Sequence, residues 1–142
     1  MSSGGVTTRE FVMADYDSAI ALWSCEEGIE ICEGDSRQEM AEFLKRNPGL
    51  SRVAEVDGEI AGVALCSHDG RRGWIYHLAV APAHRRRKVG QQLLDACVNG
   101  LRDAGLKRAI ILVAGDNPGG HEFWLRNGWE DIDGAIAMTK EL

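Results

Sequence analysis

Four consecutive cations, Arg85, Arg86, Arg87 and Lys88, follow His84 and run into a segment whose apolar residues recur at helical spacing from Val89 onward. A helix start carries a partial positive charge and N–H groups without intrahelical acceptors, so each exposed cation there is unfavourable by about 0.3–1 kcal/mol. A bound anion removes the conflict, because phosphate oxygens accept from the helix amides and pair with the side chains at once. Gly90, in the first turn, allows a ligand close to the backbone. The segment 81–90 is therefore a candidate pyrophosphate cradle, against the plainer alternative of a solvated basic loop. A triphosphate loop of the Gly-x-x-x-x-Gly-Lys-(Ser or Thr) kind is absent from the chain.

The remaining reactive side chains show less pattern. His68 falls at a turn, His84 in the basic loop and His121 on a short helix, with no metal-ligand spacing among them, so no metal is expected. Cys25, Cys32, Cys66 and Cys97 form no Cys-x-x-Cys pair and read as free thiols. The stretch 26–35 concentrates Glu26, Glu27, Glu30, Glu33 and Asp35, which either attract a cationic partner or simply face water.

The elements that must position these groups follow from period and punctuation. A strand is predicted at 7–12 and a helix from about Asp15 through Ile20, Leu22 and Trp23. Ser36 is expected to cap a second helix that Asn47-Pro48-Gly49 stops. Strands at 52–56 and 60–66 flank Asp57-Gly58, a hairpin signal, and a third at 74–80 ends before Pro82, which has no N–H for a ladder. The strongest helix starts at Val89 and uses Leu93, Leu94, Cys97, Val98 and Leu101, with Gly105 as its C-terminal cap. A strand at 108–113, a short helix at 120–126 and strands at 129–132 and 135–139 around Asp133-Gly134 complete the order βααβββαβαββ. Hairpins force antiparallel neighbours, so the fold class is mixed α/β (α+β): a central mixed, mostly antiparallel sheet flanked by helices.

At 142 residues the chain is read as one domain, 1–142. No apolar run reaches a membrane span and the first ten residues lack a secretory leader, so a cytoplasmic, membrane-free protein is expected. A net charge of −6 argues against general nucleic-acid binding and makes any anion site local.

The segment 80–94 resembles the acyl-CoA pyrophosphate loop of GNAT N-acetyltransferases, (Arg or Gln)-x-x-Gly-x-(Gly or Ala): Arg85 and Gly90 match its ends, and Lys88 stands at its first glycine. A second segment, 117–129, is similar to the family's Asn, short helix, aromatic and Gly-aromatic ending, so the resemblance spans nearly the whole chain. It implies an acetyl-CoA-dependent N-acetyltransferase in which a primary amine attacks the thioester directly. Arg85, Arg86, Arg87, Lys88, Val89, Gly90 and Gln91 would hold the pyrophosphate. Leu78, Ala79 and Val80 would pair with the pantetheine arm and polarise the acyl carbonyl through a main-chain N–H, a contact worth about 10²–10³ in rate. Asn117 would help hold the arm. Trp124 stands where many relatives have a tyrosine that protonates the departing thiolate.

The period of two puts Trp74, Tyr76 and Leu78 on one strand face and His77 on the other, which leaves Tyr76 as the only ionisable candidate for proton handling; packing is its alternative role. The acceptor, a small molecule or a peptide, would approach near the first two helices. A competing reading is a catalytically weak acyl-CoA sensor or interaction module on the same fold, suggested by Lys88 and Trp124. The oligomeric state stays open, a homodimer among the options.

Overall fold

The computed structural model describes residues 5–26, 28–85, 87–115 and 118–142, with Pro118 described by its backbone. Strand β1 (Val6–Glu10) leads through a 3₁₀ turn (Met13–Asp15) into α1 (Tyr16–Ser24), and α2 (Arg37–Arg46) follows a long connection. Ser36 caps α2 as expected: its hydroxyl accepts from the Glu39 N–H while the Glu39 carboxylate accepts from the Ser36 N–H. Asp15 stands at the start of α1, but its carboxylate accepts from Arg9 and the Val12 N–H and makes no cap bond.

Next come β2 (Arg52–Val56), β3 (Glu59–His68) and β4 (Gly73–Val80). Asp57 and Gly58, at φ 52° and 79°, form the tight turn between β2 and β3. After β4 come a 3₁₀ turn (Pro82–His84), α3 (Val89–Asp103), β5 (Ala109–Ile110) and α4 (Pro118–Arg126). The sheet order is β1-β2-β3-β4-β5, antiparallel throughout except that β5 runs parallel to β4.

One core lies on each face. Against α3, the buried residues Ala64, Cys66 and Ile75 meet Val89, Leu93, Leu94, Cys97 and Leu101, with Phe123 and Trp124 of α4 at the margin. On the opposite face Val53, Val63, Leu65 and Ala79 meet Phe11, Tyr16, Ala19, Trp23 and Met40. Gly62 lets α3 settle onto β3, since a Cβ there would lie 2.8 Å from Leu93 Cδ1 and 2.9 Å from the Ala79 carbonyl oxygen. Cys66 beneath α3 and Cys97 on it are buried free thiols, and the neighbouring Cys66 side chain together with burial pushes the Cys97 thiol well above its ordinary range.

The end of the chain departs from expectation. The strand predicted at 108–113 shrinks to Ala109–Ile110, and among the described residues neither 129–132 nor 135–139 forms a strand. Gly134 does turn, at φ 79°, but the ladder beside β5 is two residues long, and a hairpin with no sheet to join is marginal in water. Ile132, Ile136 and Met138 stay exposed.

Arg9 grips Asp15 with two bonds of 2.8 and 2.9 Å, tying β1 to the start of α1, and this guanidinium holds the buried Asp15 carboxyl below its usual range. A carboxyl depressed in the folded state contributes stability above its unfolded pKa and loses it as pH falls through the folded one. Asp15→Asn is therefore expected to cost about 1.5–3 kcal/mol at pH 7. Urea unfolding against pH should show the gap to wild type closing in acid.

Candidate active site

Strand β4 carries the geometry that makes a site. Its ladder with β3 pairs Leu65 with Tyr76 and Val63 with Ala79, so Ala64 alone faces both His77 and Leu78. The extra residue is a β-bulge, and His77 adopts φ 50°, a left-handed conformation uncommon outside glycine. The bulge reverses the side-chain alternation. Trp74 and Tyr76 lie on the α1/α2 side, where Tyr76 meets Phe43 edge-on, while Leu78 and Val80 turn to the α3 side. Leu78 thus does not share the face of Trp74 and Tyr76. His77 does not oppose them either, because its ring packs against Trp23 of α1. A two-residue period has no means of showing an inserted residue.

On its other edge β4 pairs with β5 only through Gly73 and Trp74. From Ile75 to Val80 no described strand covers that edge, which leaves open there the main-chain groups of the Leu78–Val80 stretch that do not pair with β3. The chain then enters the basic loop, anchored by the Ala81 N–H donating to the Ala61 carbonyl at 2.7 Å.

Within the loop, Arg85, Arg87 and Lys88 are exposed; Arg86 and Asn117 lie outside the described residues. Lys88 precedes α3 in the left-handed region, φ 61° and ψ 25°, a conformation suited to the glycine of the resembled pattern. The first bond of α3 runs from the Gln92 N–H to the Lys88 carbonyl, so the amides of Val89, Gly90 and Gln91 have no intrahelical acceptor. No side chain caps this end and its first turn holds no acid. At Gly90 a Cβ would touch the Phe123 ring at 3.4 Å, so the missing side chain also lets α4 pack against α3. Trp124 sits edge-on to both Phe123 and Trp129.

The acidic connection between α1 and α2 divides into separate tasks. Glu26 pairs with Arg85 at 2.9 Å, which links this connection to the basic loop. Asp35 is buried, and both of its oxygens lie 3.1–3.2 Å from His77 Nε2. Glu30 and Glu33 are exposed, and Glu27 lies outside the described residues. Tyr76 is exposed at 38%, and the partial desolvation of its hydroxyl raises its phenol above the ordinary value, which suits it to donating or holding a proton rather than removing one. His121 bonds Asp131 on the surface at 2.7 Å. No group of three or more metal-ligating side chains occurs among the described residues, and no helix there is long and apolar enough to cross a membrane.

The strain at Lys88 is measurable. A left-handed non-glycine residue costs about 1–2 kcal/mol, partly offset in a glycine variant by added freedom of the unfolded chain. Lys88→Gly is expected to be more stable than Lys88→Ala by about 0.5–1 kcal/mol, which thermal melts of the two variants would read as a difference of a few degrees.

Comparison with known proteins agrees with this geometry. The family model described as "Acetyltransferase (GNAT) family" matches residues 16–129. The chain is 29% identical over 139 residues to Acetyltransferase SG1711 of Sodalis glossinidius and 30% identical over 139 residues to Acetyltransferase ECA0875 of Pectobacterium atrosepticum, with 94% of each chain covered. Among solved structures, the fold is similar to a predicted acetyltransferase with acetyl-CoA from Clostridium acetobutylicum, at TM-score 0.76 and 19% identity over 95% of this chain and 96% of that one. It is also similar to Ard1 from Thermoplasma volcanium, at TM-score 0.77 and 23% identity over 87% and 81%. With its open β4 edge leading into an uncapped, cation-flanked helix, this chain belongs to the GNAT family of acetyltransferases.

Proposed function

We propose that this chain, as a single domain over 1–142, is a cytoplasmic N-acetyltransferase that moves the acetyl group of acetyl-CoA to a primary amine by direct attack. The observation that carries the reading is the continuity of the β4 edge with the start of α3: one end offers a strand edge to an amide-bearing arm, the other offers free amides and cations to phosphates. The acetyl-CoA-containing relative in the same fold supports the choice of cosubstrate.

The residue roles are those that the family resemblance implies. Arg85, Arg86, Arg87 and Lys88, with the amides of Val89, Gly90 and Gln91, hold the pyrophosphate. Leu78, Ala79 and Val80 pair with the pantetheine arm, and one of their N–H groups polarises the thioester carbonyl. Asn117 helps hold the arm, and Trp124 packs against it. The amine nitrogen attacks the carbonyl carbon, the C–N bond forms, the C–S bond breaks with its electrons on sulfur, and the thiolate is protonated. Tyr76, protonated at neutral pH, holds a water or supplies that proton. A thiolate with a pKa of about 8.5 also leaves unaided, so Trp124 in place of a tyrosine does not stop the reaction.

Arg85 is engaged by Glu26, so phosphate binding competes with this ion pair and couples the loop to the acceptor side. Incubation with acetyl-CoA and a panel of polyamines, lysine-bearing peptides, aminoglycosides and small metabolite amines is expected to release thiol in an amine-dependent manner. Acetyl-CoA binding with no amine-dependent release from any of them would instead favour the sensor or interaction module.

A further inference from the structure

His77 and Asp35 form a pair that the reaction as described leaves unused. Asp35 lies in the connection before α2, and its position is fixed twice: the Tyr16 hydroxyl donates to its main-chain carbonyl, and the Cys32 N–H donates to its Oδ2 at 3.2 Å. Its carboxylate faces His77 Nε2 through both oxygens. A carboxylate only accepts, so Nε2 carries the proton of the neutral ring and Nδ1 is left as the acceptor. Among the described residues Nδ1 has no bonding partner, and it is not among the polar atoms sealed from solvent, on a side chain 21% exposed.

The ring is held for this orientation. Trp23 stacks edge-on at 5.0 Å and its indole N–H donates to the His77 carbonyl at 2.6 Å. His77 pays for this position with a left-handed backbone, the kind of strain that persists where surrounding structure imposes it and that gathers at functional sites. The residue after it, Leu78, begins the stretch proposed to meet the thioester, and the ring projects toward α1 and the α1–α2 connection. A base oriented by a third group, next along the strand to the stretch proposed to meet the thioester, is the arrangement an ammonium requires to lose its proton before the amine attacks.

We infer that the His77–Asp35 pair removes the proton from the acceptor, with His77 as the base and Asp35 as its positioning residue; this rests on the transferase reading. The alkylammonium gives a proton to Nδ1, and the freed lone pair forms the C–N bond as the C–S bond breaks. The nitrogen's remaining excess proton and that of the imidazolium leave one to the thiolate and one to water, giving amide, CoA thiol and one released proton. Facing the ring are Asp35 from the connection and, behind it, Tyr16 of α1 beneath the Arg37 guanidinium of α2. Tyr76 is its neighbour on β4, and Val63 and Leu65 of β3 are apolar.

His77→Asn tests the role, because asparagine tolerates the left-handed backbone but its amide does not accept a proton at neutral pH. With an amine that wild type acetylates, kcat/KM at pH 7 is expected to fall by about 10²-fold or more. The defect should shrink as pH approaches the amine's own pKa, while the melting-temperature rise given by acetyl-CoA is retained. Asp35→Asn should show a smaller loss with the same pH trend, and it carries the test if the first variant does not melt cooperatively. Wild-type rates at pH 7, or a loss of equal size at every pH, would overturn the assignment. Wild-type inactivity with every amine removes the transferase reading itself, and this role with it.

Discussion

The first turn of α3 is the constraint on which the site depends. Its buried face, Val89, Leu93, Leu94, Cys97 and Leu101, is packed onto the sheet, and Gly62 lets it come close enough that no Cβ fits between. A helix fixed in this way has no freedom to bury or re-cap its own end. The amides of Val89, Gly90 and Gln91 therefore point outward among cations, in a chain whose net charge is −6. Under the proposed function, positive charge concentrated against the sign of the whole protein marks the place for an anion, and a phosphate there would relieve the electrostatic cost of the loop.

The second constraint is the bulge at His77. A regular β4 would carry Leu78 on the face of Tyr76 and would hold His77 away from α1. One inserted residue instead sends Leu78 and Val80 toward α3 and brings His77 against Trp23 and Asp35. Under the proposed function, groups for the cofactor and for the acceptor then come from adjacent positions on one strand. The short β5 completes the arrangement, since its ladder stops at Ile110 and leaves the rest of the β4 edge uncovered.

Much of this was legible in the chain. Helix α3 was readable because its apolar spacing is unbroken over four turns, the α2 cap because Ser36 and Glu39 are three apart, and the β2–β3 turn because Asp57-Gly58 leaves few alternatives. The basic loop showed itself through charge that contradicts the helix field. The bulge did not, since a residue with a left-handed backbone that is not glycine leaves no mark in composition or period. The His77–Asp35 pair was hidden for the same reason, its members lying 42 residues apart. Within the acidic connection, the sequence does not distinguish Asp35, which is turned inward, or Glu26, which pairs with Arg85, from their exposed neighbours. At the C-terminus, local strand signals around Asp133-Gly134 were real but had no sheet edge of sufficient length to join.

Under the proposed function, the β4 edge and the start of α3 together bind an acyl-CoA. Thermal unfolding with and without excess acetyl-CoA tests it most directly, because saturation at about 100 times Kd adds roughly 2.7 kcal/mol to stability, or several degrees for a domain of this size. A clear rise in Tm is expected, one that ATP at the same concentration does not reproduce. No rise at millimolar acetyl-CoA, or an equal rise with ATP, would contradict it.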